Sequence, residues 1–533
     1  MFAAEAVPYR DTNAFSAIVS DYVEGKASLQ PFYSAAPTVD GVRETIVRKE
    51  NQALHREVLV AALREQYQQI EVHKNVGDNI EALRTDTTFT VCTAHQPNLF
   101  TGPLYFIYKI IHAVKLADTL SRELPGYRFV PVYYMGSEDA DLEELNHTFV
   151  QGKKYQWDTD QKGAVGRMLA DRRLIGLIDE LDSHIGRSPH GAQLVHLFRE
   201  SYMEGSSIQD ATFKIVNALF ESYGLVVLIP DTPLLKGLMK PLFEEELFRG
   251  RSSEIVAATS GQLGKNYGVQ AYPRAINLFY LKDNIRERIE KDGEVFKVVN
   301  TALSFTEKSL RQELSDHPER FSPNVILRGL YQETILPNIA FIGGGGELAY
   351  WLQLKDLFAH YSVVFPVLVL RNSFLLLARK NKVRQEKLGL TAGQLFLPEY
   401  DLLNLLIEQD GSKPVLNGQL DALEEFYAKV KHVASASDPT LQQHVESLKT
   451  RSIKDLRELE RKMLRAERRK RVEEGAAVQS LKSSLFPGGN LQERTENIAQ
   501  FWAAWGPGFI QQLHQHSLSL EQQFVVLTET SKG

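Results

Sequence analysis

The chain has 533 residues, 43% of them apolar and 24% charged, and its formal net charge at pH 7 is −6. A single core rarely exceeds about 300 residues, so this length predicts two or three structural units. The negative net charge argues against a general nucleic-acid-binding protein, which would need a basic face.

Cysteine usage and the distribution of apolar residues indicate the compartment. Cys92 is the single cysteine, which excludes an internal disulfide and a zinc site built on cysteines. We interpret it as a buried core thiol. Residues 1–10 lack the apolar core of a signal peptide, and no stretch of about 18 uncharged apolar residues could span a membrane. We therefore expect a cytoplasmic protein without membrane contact.

The first part of the chain predicts helices followed by a βαβ unit. Residues 1–85 are polar and show helical spacing, with few strand signals. A β-rich run at 89–94 precedes a helix that Thr101 could cap, and a second strand is predicted at 129–135. A strand, a helix and a strand in close succession indicate a parallel sheet.

The remaining sheet elements follow a less regular stretch at 150–220, which we interpret as an insertion. A strand is predicted at 225–230, with a helix beginning at Pro233. Residues 339–370 then read as a strand, a glycine turn, a helix and a further strand. The pattern predicts an α/β fold with a doubly wound parallel sheet that is interrupted by an insertion.

Strand signals disappear after residue 375 and charge density rises. Near-heptad apolar spacing at 445–466 predicts an antiparallel helical hairpin, a long α-helical coiled-coil arm. We interpret the basic run at 468–471 as a solvated helix face rather than an RNA site, because acidic residues flank it. The predicted domains are 1–150 (N-terminal helices and first half of the core), 151–222 (connective insertion), 223–374 (second half of the core), 375–480 (coiled-coil arm) and 481–533 (C-terminal helical return onto the core).

Three segments that could carry chemistry follow strands of the predicted sheet. The first, residues 95–102, opens a helix, and His95 and Asn98 could donate hydrogen bonds to phosphate there. The alternative is a capped loop in which the backbone satisfies His95. The second, residues 137–147, holds carboxylates that could bind an amine, act as a base or hold Mg²⁺. The alternative is an acidic first turn that complements a helix dipole.

The third segment combines Arg328 with four glycines at 343–346. Glycines let the backbone approach a ligand closely. The spacing matches neither the dinucleotide fingerprint nor the phosphate loop. The alternative is a flexible turn between a strand and a helix.

The order and spacing of these motifs resemble one known family. Residues 96–105 with Lys109, residues 138–147, Asn324 with Arg328, and residues 336–351 are similar to the bacillithiol biosynthesis cysteine-adding enzymes. The likeness extends over essentially the whole chain. It implies a Rossmann-type core like that of class I nucleotidyltransferases and a coiled-coil arm used for homodimerisation.

The resemblance also implies an activity and a set of site residues. It implies a ligase that adds L-cysteine to glucosamine-malate in the last step of bacillithiol biosynthesis. Our hypothesis for the activation step is that ATP, with or without Mg²⁺, is the cosubstrate, and we expect no tightly bound cofactor or metal. The candidate catalytic residues are His95, Asn98, Asp139 and Asp141. The candidate substrate-binding residues are Gln96, Glu138, Asn146, His147, Arg328, Gln332 and Glu333. The candidate nucleotide-binding residues are Thr101, Gly102, Gly343, Gly344, Gly345, Gly346 and Glu347.

Three features depart from the expected pattern. Ala94 stands at a position where glycine is expected, and Ala140 stands where histidine is expected. A loop resembling Lys-Met-Ser-Lys-Ser is not found. Two other functions therefore stay open: another amino-acid or acyl ligase or nucleotidyltransferase-like enzyme on the same core, and a catalytically inactive coiled-coil scaffold.

Overall fold

The computed structural model describes residues 2–530. It divides into two compact units. The larger unit holds residues 14–375 and 490–527 together with the segment that ends at Arg10, and the smaller unit holds residues 376–489 with two short flanking pieces.

The elements are numbered along the described chain. The strands are β1 (Phe2–Val7), β2 (Thr88–His95), β3 (Arg128–Met135), β4 (His147–Val150), β5 (Lys153–Gln156), β6 (Val226–Leu228), β7 (Leu278–Lys282), β8 (Ile285–Asp292), β9 (Val295–Val298), β10 (Ser304–Thr306), β11 (Phe321–Pro323), β12 (Asn338–Gly343), β13 (Val367–Leu370), β14 (Ser373–Leu377) and β15 (Phe524–Glu529). The helices of the larger unit up to β13 are α1 (Ala17–Val23), α2 (Val39–Glu50), α3 (Arg56–Tyr67), α4 (Lys74–Ala82), α5 (Tyr105–Glu123), α6 (Leu142–Leu145), α7 (Arg172–Ile185), α8 (Pro189–Ser201), α9 (Ile208–Phe220), α10 (Pro233–Gly237), α11 (Lys240–Arg249), α12 (Arg251–Leu263), α13 (Glu307–Asp316), α14 (Val325–Ile335), α15 (Gly345–Trp351) and α16 (Lys355–His360). The later helices are α17 (Arg379–Lys387), α18 (Glu399–Gln409), α19 (Asn417–Ser437), α20 (Leu441–Lys470), α21 (Val472–Leu485), α22 (Gln492–Thr495), α23 (Ile498–Trp505) and α24 (Gly508–His516).

The core of the larger unit is a five-stranded parallel sheet in the order β13-β12-β2-β3-β6. The chain builds outward from β2 through β3 to β6, then returns to the other side of β2 with β12 and β13. This is the predicted doubly wound Rossmann-type sheet, and the prediction is confirmed. The strand order reverses between β2 and β12, and open α/β sheets bind ligands at the carboxyl ends of strands at such a point.

The helix that follows β2 packs on this sheet as its apolar spacing predicts. The apolar side chains that recur at helical spacing along it are at most 1% exposed: Leu104, Ile107, Tyr108, Ile111 and Val114. The prediction that Thr101 caps this helix is wrong, because α5 begins at Tyr105 after a 3-10 turn at Leu99–Thr101.

The turn between β2 and α5 has an unusual backbone. Phe100, Thr101 and Gly102 all have positive φ, at 50°, 72° and 63°. The left-handed region costs about 1–3 kcal/mol for a residue with a side chain, so neighbouring groups must hold the turn. The Asn497 Nδ2 does so by donating to the backbone oxygens of Phe100 (2.8 Å) and Gly102 (2.6 Å).

Several strands lie where the sequence predicts none. Strands β1 and β15 form a three-stranded sheet with β14, although residues 1–85 and 481–533 read as helical. Strands β7 to β11 form a second five-stranded sheet in the order β10-β9-β8-β7-β11. Six of the eight residues of its central strand β8 are charged, and the two apolar ones are Ile285 and Ile289. Antiparallel sheets tolerate one polar face, which hides such strands from a search for apolar runs.

The single helix that the sequence predicts after the glycine turn at 343–346 is interrupted, because residues 352–354 separate α15 from α16.

The smaller unit contains the predicted antiparallel helical hairpin. Helices α19 and α20 run side by side, with the Tyr427 hydroxyl 2.8 Å from the Ser452 hydroxyl and Lys431 paired with Glu446 at 2.8 Å. As the position on α19 rises from 427 to 431, the position of its partner on α20 falls from 452 to 446. This order is typical of antiparallel helices. The coiled-coil prediction is confirmed.

One buried histidine of α5 yields a prediction for the pH dependence of stability. The His112 Nε2 lies 2.6 Å from the Ser519 oxygen, and its Nδ1 accepts from the Asn372 N–H at 3.0 Å. Burial lowers the pKa of His112 to about 4, against about 6.5 in an unfolded chain. Because the folded pKa is the lower one, this stabilisation is complete above about pH 6.5 and is lost as pH falls towards 4.

We expect His112 to account for about 3 kcal/mol of lost unfolding free energy between pH 6.5 and 4. Urea unfolding at several pH values, for the protein and for His112→Gln, measures this. The variant should have the shallower pH dependence, and equal slopes would contradict the assignment.

Candidate active site

A cavity of about 890 Å³ opens at the carboxyl ends of β2, β3 and β12, at the reversal point of the sheet. Cationic side chains outnumber carboxylates on its wall. The cations are Lys109, Arg274, Arg286, Arg328, Arg371 and Arg494, and the carboxylates are Asp139, Asp141 and Glu347. A cleft with this excess of positive charge attracts anionic ligands.

His95, at the end of β2, lines this cavity and has a buried ring nitrogen without a partner in the described chain. Its ring lies 5.3 Å from that of Tyr105, and its Nε2 is buried without a hydrogen-bond partner among residues 2–530. Burial lowers the pKa of His95 well below 6.5, and the nearby cations Lys109, Arg371 and Arg328 lower it further. His95 is therefore neutral at physiological pH and can accept a proton or a hydrogen bond.

Lys109 and Arg371 lie beside the reversal point, and each already has a carboxylate partner. The Lys109 Nζ donates to the Ala94 oxygen at 2.7 Å and pairs with Glu347. Glu347 also accepts from the Gly344 N–H at 2.7 Å, which fixes the start of α15. Arg371 pairs with a carboxylate outside the cavity lining, that of Glu493, at 2.7 Å.

Asp139, in the loop after β3, gathers polar side chains from three other elements. It accepts from the Gln96 Nε2 and the Arg328 Nη2, both at 3.1 Å, and lies 3.8 Å from the Arg286 Nη1. Burial raises the pKa of Asp139, but Arg328 and Arg286 outweigh this effect and bring it to about 2. A carboxylate of this acidity stays ionised and is a weak base.

Residues 165 and 166 brace the loop that carries Asp139. The Val165 N–H donates to the Asp139 oxygen at 2.7 Å, and the Gly166 N–H donates to the Ser137 oxygen at 2.9 Å. A Cβ on Gly166 would lie 2.5 Å from the Ser137 Cβ, so the two segments touch only because residue 166 is glycine.

The structure brings together about half of the residues selected from the sequence. Those that line the cavity are His95, Gln96, Asp139, Asp141, Arg328, Gly344, Gly345, Gly346 and Glu347. Those outside its lining are Asn98, Thr101, Gly102, Glu138, Asn146, His147, Gln332, Glu333 and Gly343. Ala94 and Ala140, the two departures from the family pattern, both line it.

The selected residues outside the cavity have structural surroundings. Glu138 pairs with the fully buried Lys236, which also contacts Asp231 at 3.0 Å. The His147 Nδ1 lies 3.2 Å from the Asn146 Oδ1.

A second buried group contains the two selected residues of α14. The Gln332 Nε2 donates to the Glu333 Oε1 at 2.9 Å. Glu333 lies 3.6 Å from Lys49, and neither side chain is exposed.

Several cavity residues were not selected from the sequence. They are Tyr105, Lys109, Tyr272, Arg274, Phe279, Arg286, Asn324, Val325, Tyr350, Arg371 and Arg494. Arg371 directly follows the predicted strand at 363–370, so the rule that ligands bind at the carboxyl ends of strands would have found it. Arg286 belongs to the unpredicted antiparallel sheet and has no comparable signal.

Within residues 2–530, no group of three or more histidine, cysteine, aspartate or glutamate side chains could hold a metal ion. None of the helices described is both long and apolar enough to cross a membrane.

Family models match the two parts of the chain. The model described as "Bacillithiol biosynthesis BshC, N-terminal Rossmann-like domain" matches residues 2–372, and that described as "Bacillithiol biosynthesis BshC, C-terminal coiled-coil domain" matches residues 374–529. The chain belongs to the BshC family. The cavity lies almost wholly within the Rossmann-like part of this BshC chain, and Arg494 comes from the C-terminal part.

Full-length relatives are similar to this BshC chain from end to end. A protein of Flavobacterium johnsoniae named "Putative cysteine ligase BshC" is 38% identical over 98% of this chain and 99% of its own length. Proteins of the same name from Christiangramia forsetii (39% identity, 98% of each chain) and Cytophaga hutchinsonii (36%, 94% of each chain) are also similar.

Proposed function

We propose that this BshC chain is an amide-forming ligase that adds L-cysteine to glucosamine-malate, the last step of bacillithiol biosynthesis, with ATP as cosubstrate. The names of its relatives support cysteine ligation. The observation that carries the proposal is a cationic cavity at the sheet reversal point, lined by His95, whose buried Nε2 has no hydrogen-bond partner among residues 2–530. ATP, the cysteine carboxylate and the malate group are all anions, and about 300–1,000 Å³ is the usual volume of a small-molecule site.

The reaction has two steps. The cysteine carboxylate attacks the α-phosphorus of ATP and forms an adenylate, while pyrophosphate leaves. The glucosamine amine then attacks the activated carbonyl, an amide forms, AMP leaves with the C–O bond electrons, and the amine loses a proton. The protein must therefore hold two substrates in line, offset phosphate charge and accept one proton.

His95 is the group we assign to proton transfer or to a hydrogen bond at the reacting atoms. Its ring is neutral, and general bases contribute about 10²–10⁴-fold to rate. The cations Lys109, Arg371 and Arg328 lower the pKa of His95 in the free protein. A bound anion would offset these charges, so we expect His95 to become more basic when substrate is present.

Asp139 and Asp141 take different roles in this proposal. Asp139 has a pKa of about 2 and is engaged with two arginines, which suits an anchor rather than a base. Asp141 lines the cavity and is exposed, so it can contact a substrate amine. Since Asp139 and Glu347 both face cations, the cavity offers a poor set of Mg²⁺ ligands, and any Mg²⁺ would enter on the ATP phosphates.

The coiled-coil arm is proposed to form a homodimer. Along α19 and α20, six large apolar side chains are more than a third exposed: Phe426, Val433, Leu441, Leu448, Leu459 and Met463. Apolar residues at coiled-coil spacing that stay exposed in one chain are suited to contact with a second copy of the chain.

A cytoplasmic location also stays a prediction.

The proposal is tested with purified protein. We expect cysteine-dependent exchange of labelled pyrophosphate into ATP, and formation of bacillithiol when glucosamine-malate is added, measured by mass spectrometry. Other amino acids and other amines serve as controls. If bacillithiol forms without pyrophosphate exchange, the adenylate route is wrong. If cysteine is transferred only to other amines, the acceptor is wrong.

A further inference from the structure

Arg286 and Arg328 differ from the other deeply buried cations of the cavity in their partners. Lys109 and Arg371 each have their own carboxylate. Arg286 and Arg328 share Asp139 as their carboxylate at ion-pair distance, and the carboxylates of Glu138 and Asp141 act on Arg286 from farther away. Two guanidinium groups therefore share one direct carboxylate partner.

Most donors of these two arginines are also unused. Within the described chain, the one hydrogen bond of Arg286 runs from its Nε to the Ser322 Oγ at 3.3 Å, and that of Arg328 runs from its Nη2 to Asp139. The Arg286 side chain is only 6% exposed and that of Arg328 is 26% exposed, yet both line the cavity. Their remaining N–H groups have no acceptor within the described chain and are open to the cavity, so they can donate to an anionic ligand.

The surroundings hold Arg286 rigidly. Its guanidinium carbon lies 4.1 Å from the centre of the Phe279 ring, a cation–π contact. The neighbouring segment carries Tyr272, whose side chain is 75% exposed beside the cavity. The backbone next to Tyr272 is fixed, because the Gln353 Oε1 accepts from the N–H groups of Gln270 and Ala271 at 3.0 Å each.

We propose that Arg286 and Arg328 form the subsite for the carboxylates of the amine acceptor. This inference rests on the proposed function and assigns one wall of the cavity to one substrate. The ligand class is a sugar amine that carries carboxylate groups remote from the reacting amine. Asp139 holds the two guanidinium groups on the same side of the cavity, so together they can engage a pair of carboxylates bidentately.

The reaction chemistry argues against the cysteine carboxylate as the occupant. That carboxylate loses its charge when it becomes an adenylate. Two arginines that bound it would stabilise the ground state more than the transition state and would oppose activation. The carboxylates of the acceptor keep their charge throughout, so binding them carries no such cost.

The test is a comparison of two acceptors with the full-length protein. Steady-state rates are measured with glucosamine-malate and with glucosamine, which lacks the carboxylates, for the wild type and for Arg286→Gln. Loss of charge-assisted hydrogen bonds should raise KM for glucosamine-malate about 10–100-fold. KM for ATP and for cysteine, and the rate with glucosamine, should stay within about twofold.

Arg288→Gln is the matched control. Arg288 lies on the same strand, pairs with Glu290 at 2.9 Å and does not line the cavity. It undergoes the same loss of charge, so any effect of Arg286→Gln through long-range potential or through strand stability should appear in both variants. Arg286→Lys should recover part of the affinity if the fold is intact.

Three results would overturn the subsite. They are an unchanged KM for glucosamine-malate in Arg286→Gln, a raised KM for cysteine instead, and an equal effect of Arg288→Gln. If no acceptor reacts with any variant, the proposed function fails, and calorimetry with L-malate alone then decides the subsite. Binding that Arg286→Gln weakens at least tenfold supports it, and equal binding or none in the wild type overturns it.

Discussion

His95→Ala is expected to slow bacillithiol formation by about 10²–10⁴-fold, the usual contribution of a general acid or base. The Nε2 of His95 is buried and has no partner among residues 2–530, so its removal breaks no hydrogen bond within that part of the chain. The rate should be measured with all three substrates saturating, so that a loss in kcat is separated from a loss in binding.

Stability provides the control for this prediction. A buried polar atom without a partner costs about 1–3 kcal/mol, so His95→Phe should have at least the unfolding free energy of the wild type while remaining inactive. His196→Ala changes a histidine that is 72% exposed and should be neutral for both measurements. If His95→Ala retained a rate within threefold of wild type, His95 would have no role in the chemistry.

Lys49→Met is expected to lower the free energy of unfolding by about 3–5 kcal/mol, because it leaves a buried carboxylate unpaired. Lys49 and Glu333 are both fully buried and 3.6 Å apart. Burial raises the pKa of Glu333 to about 7 even with Lys49 present. Urea unfolding measures the loss, and Lys74→Met, at a position that is 82% exposed, should change stability by less than about 0.5 kcal/mol.

A second substitution separates the lost ion pair from lost packing. The Glu333 Oε1 accepts from Gln332 and from the Asn338 Nδ2 at 2.7 Å. Glutamine at 333 can keep both bonds without a charge, so Lys49→Met with Glu333→Gln should recover most of the stability. If the double variant were as unstable as Lys49→Met, the loss would come from packing, and the pair would not be coupled.

The central sheet was predictable because its strands are short apolar runs bounded by turn residues. The rule for the carboxyl ends of parallel strands then led to His95, Asp139 and Glu347, which line one cavity. The sheet order alone brings these three residues together, because the carboxyl ends of neighbouring parallel strands lie at the same edge of the sheet.

The surroundings of the other residues depend on contacts between distant parts of the chain, which local sequence does not reveal. Glu333 was selected because it lies close to Arg328, yet its partner Lys49 is 284 residues earlier in the chain. Arg286 belongs to a polar strand of the antiparallel sheet, where charged residues read as surface. Thr101 resembles a helix cap in the sequence. In the structure, residues 100–102 have positive φ, and α5 begins only at Tyr105.

The two hydrogen bonds that Asn497 donates to the turn at 100–102 have a consequence for the synthesis of the protein on the ribosome. Residues 102 and 497 are 395 positions apart, which a ribosome covers in about 20–80 s at about 5–20 residues per second. During that interval the nascent chain can pair its parallel strands, but the turn at 100–102 lacks the donors that hold its left-handed backbone. We therefore expect the enzyme to become competent only when synthesis is nearly finished. Ribosome-bound chains stalled before residue 490 should be largely folded and inactive.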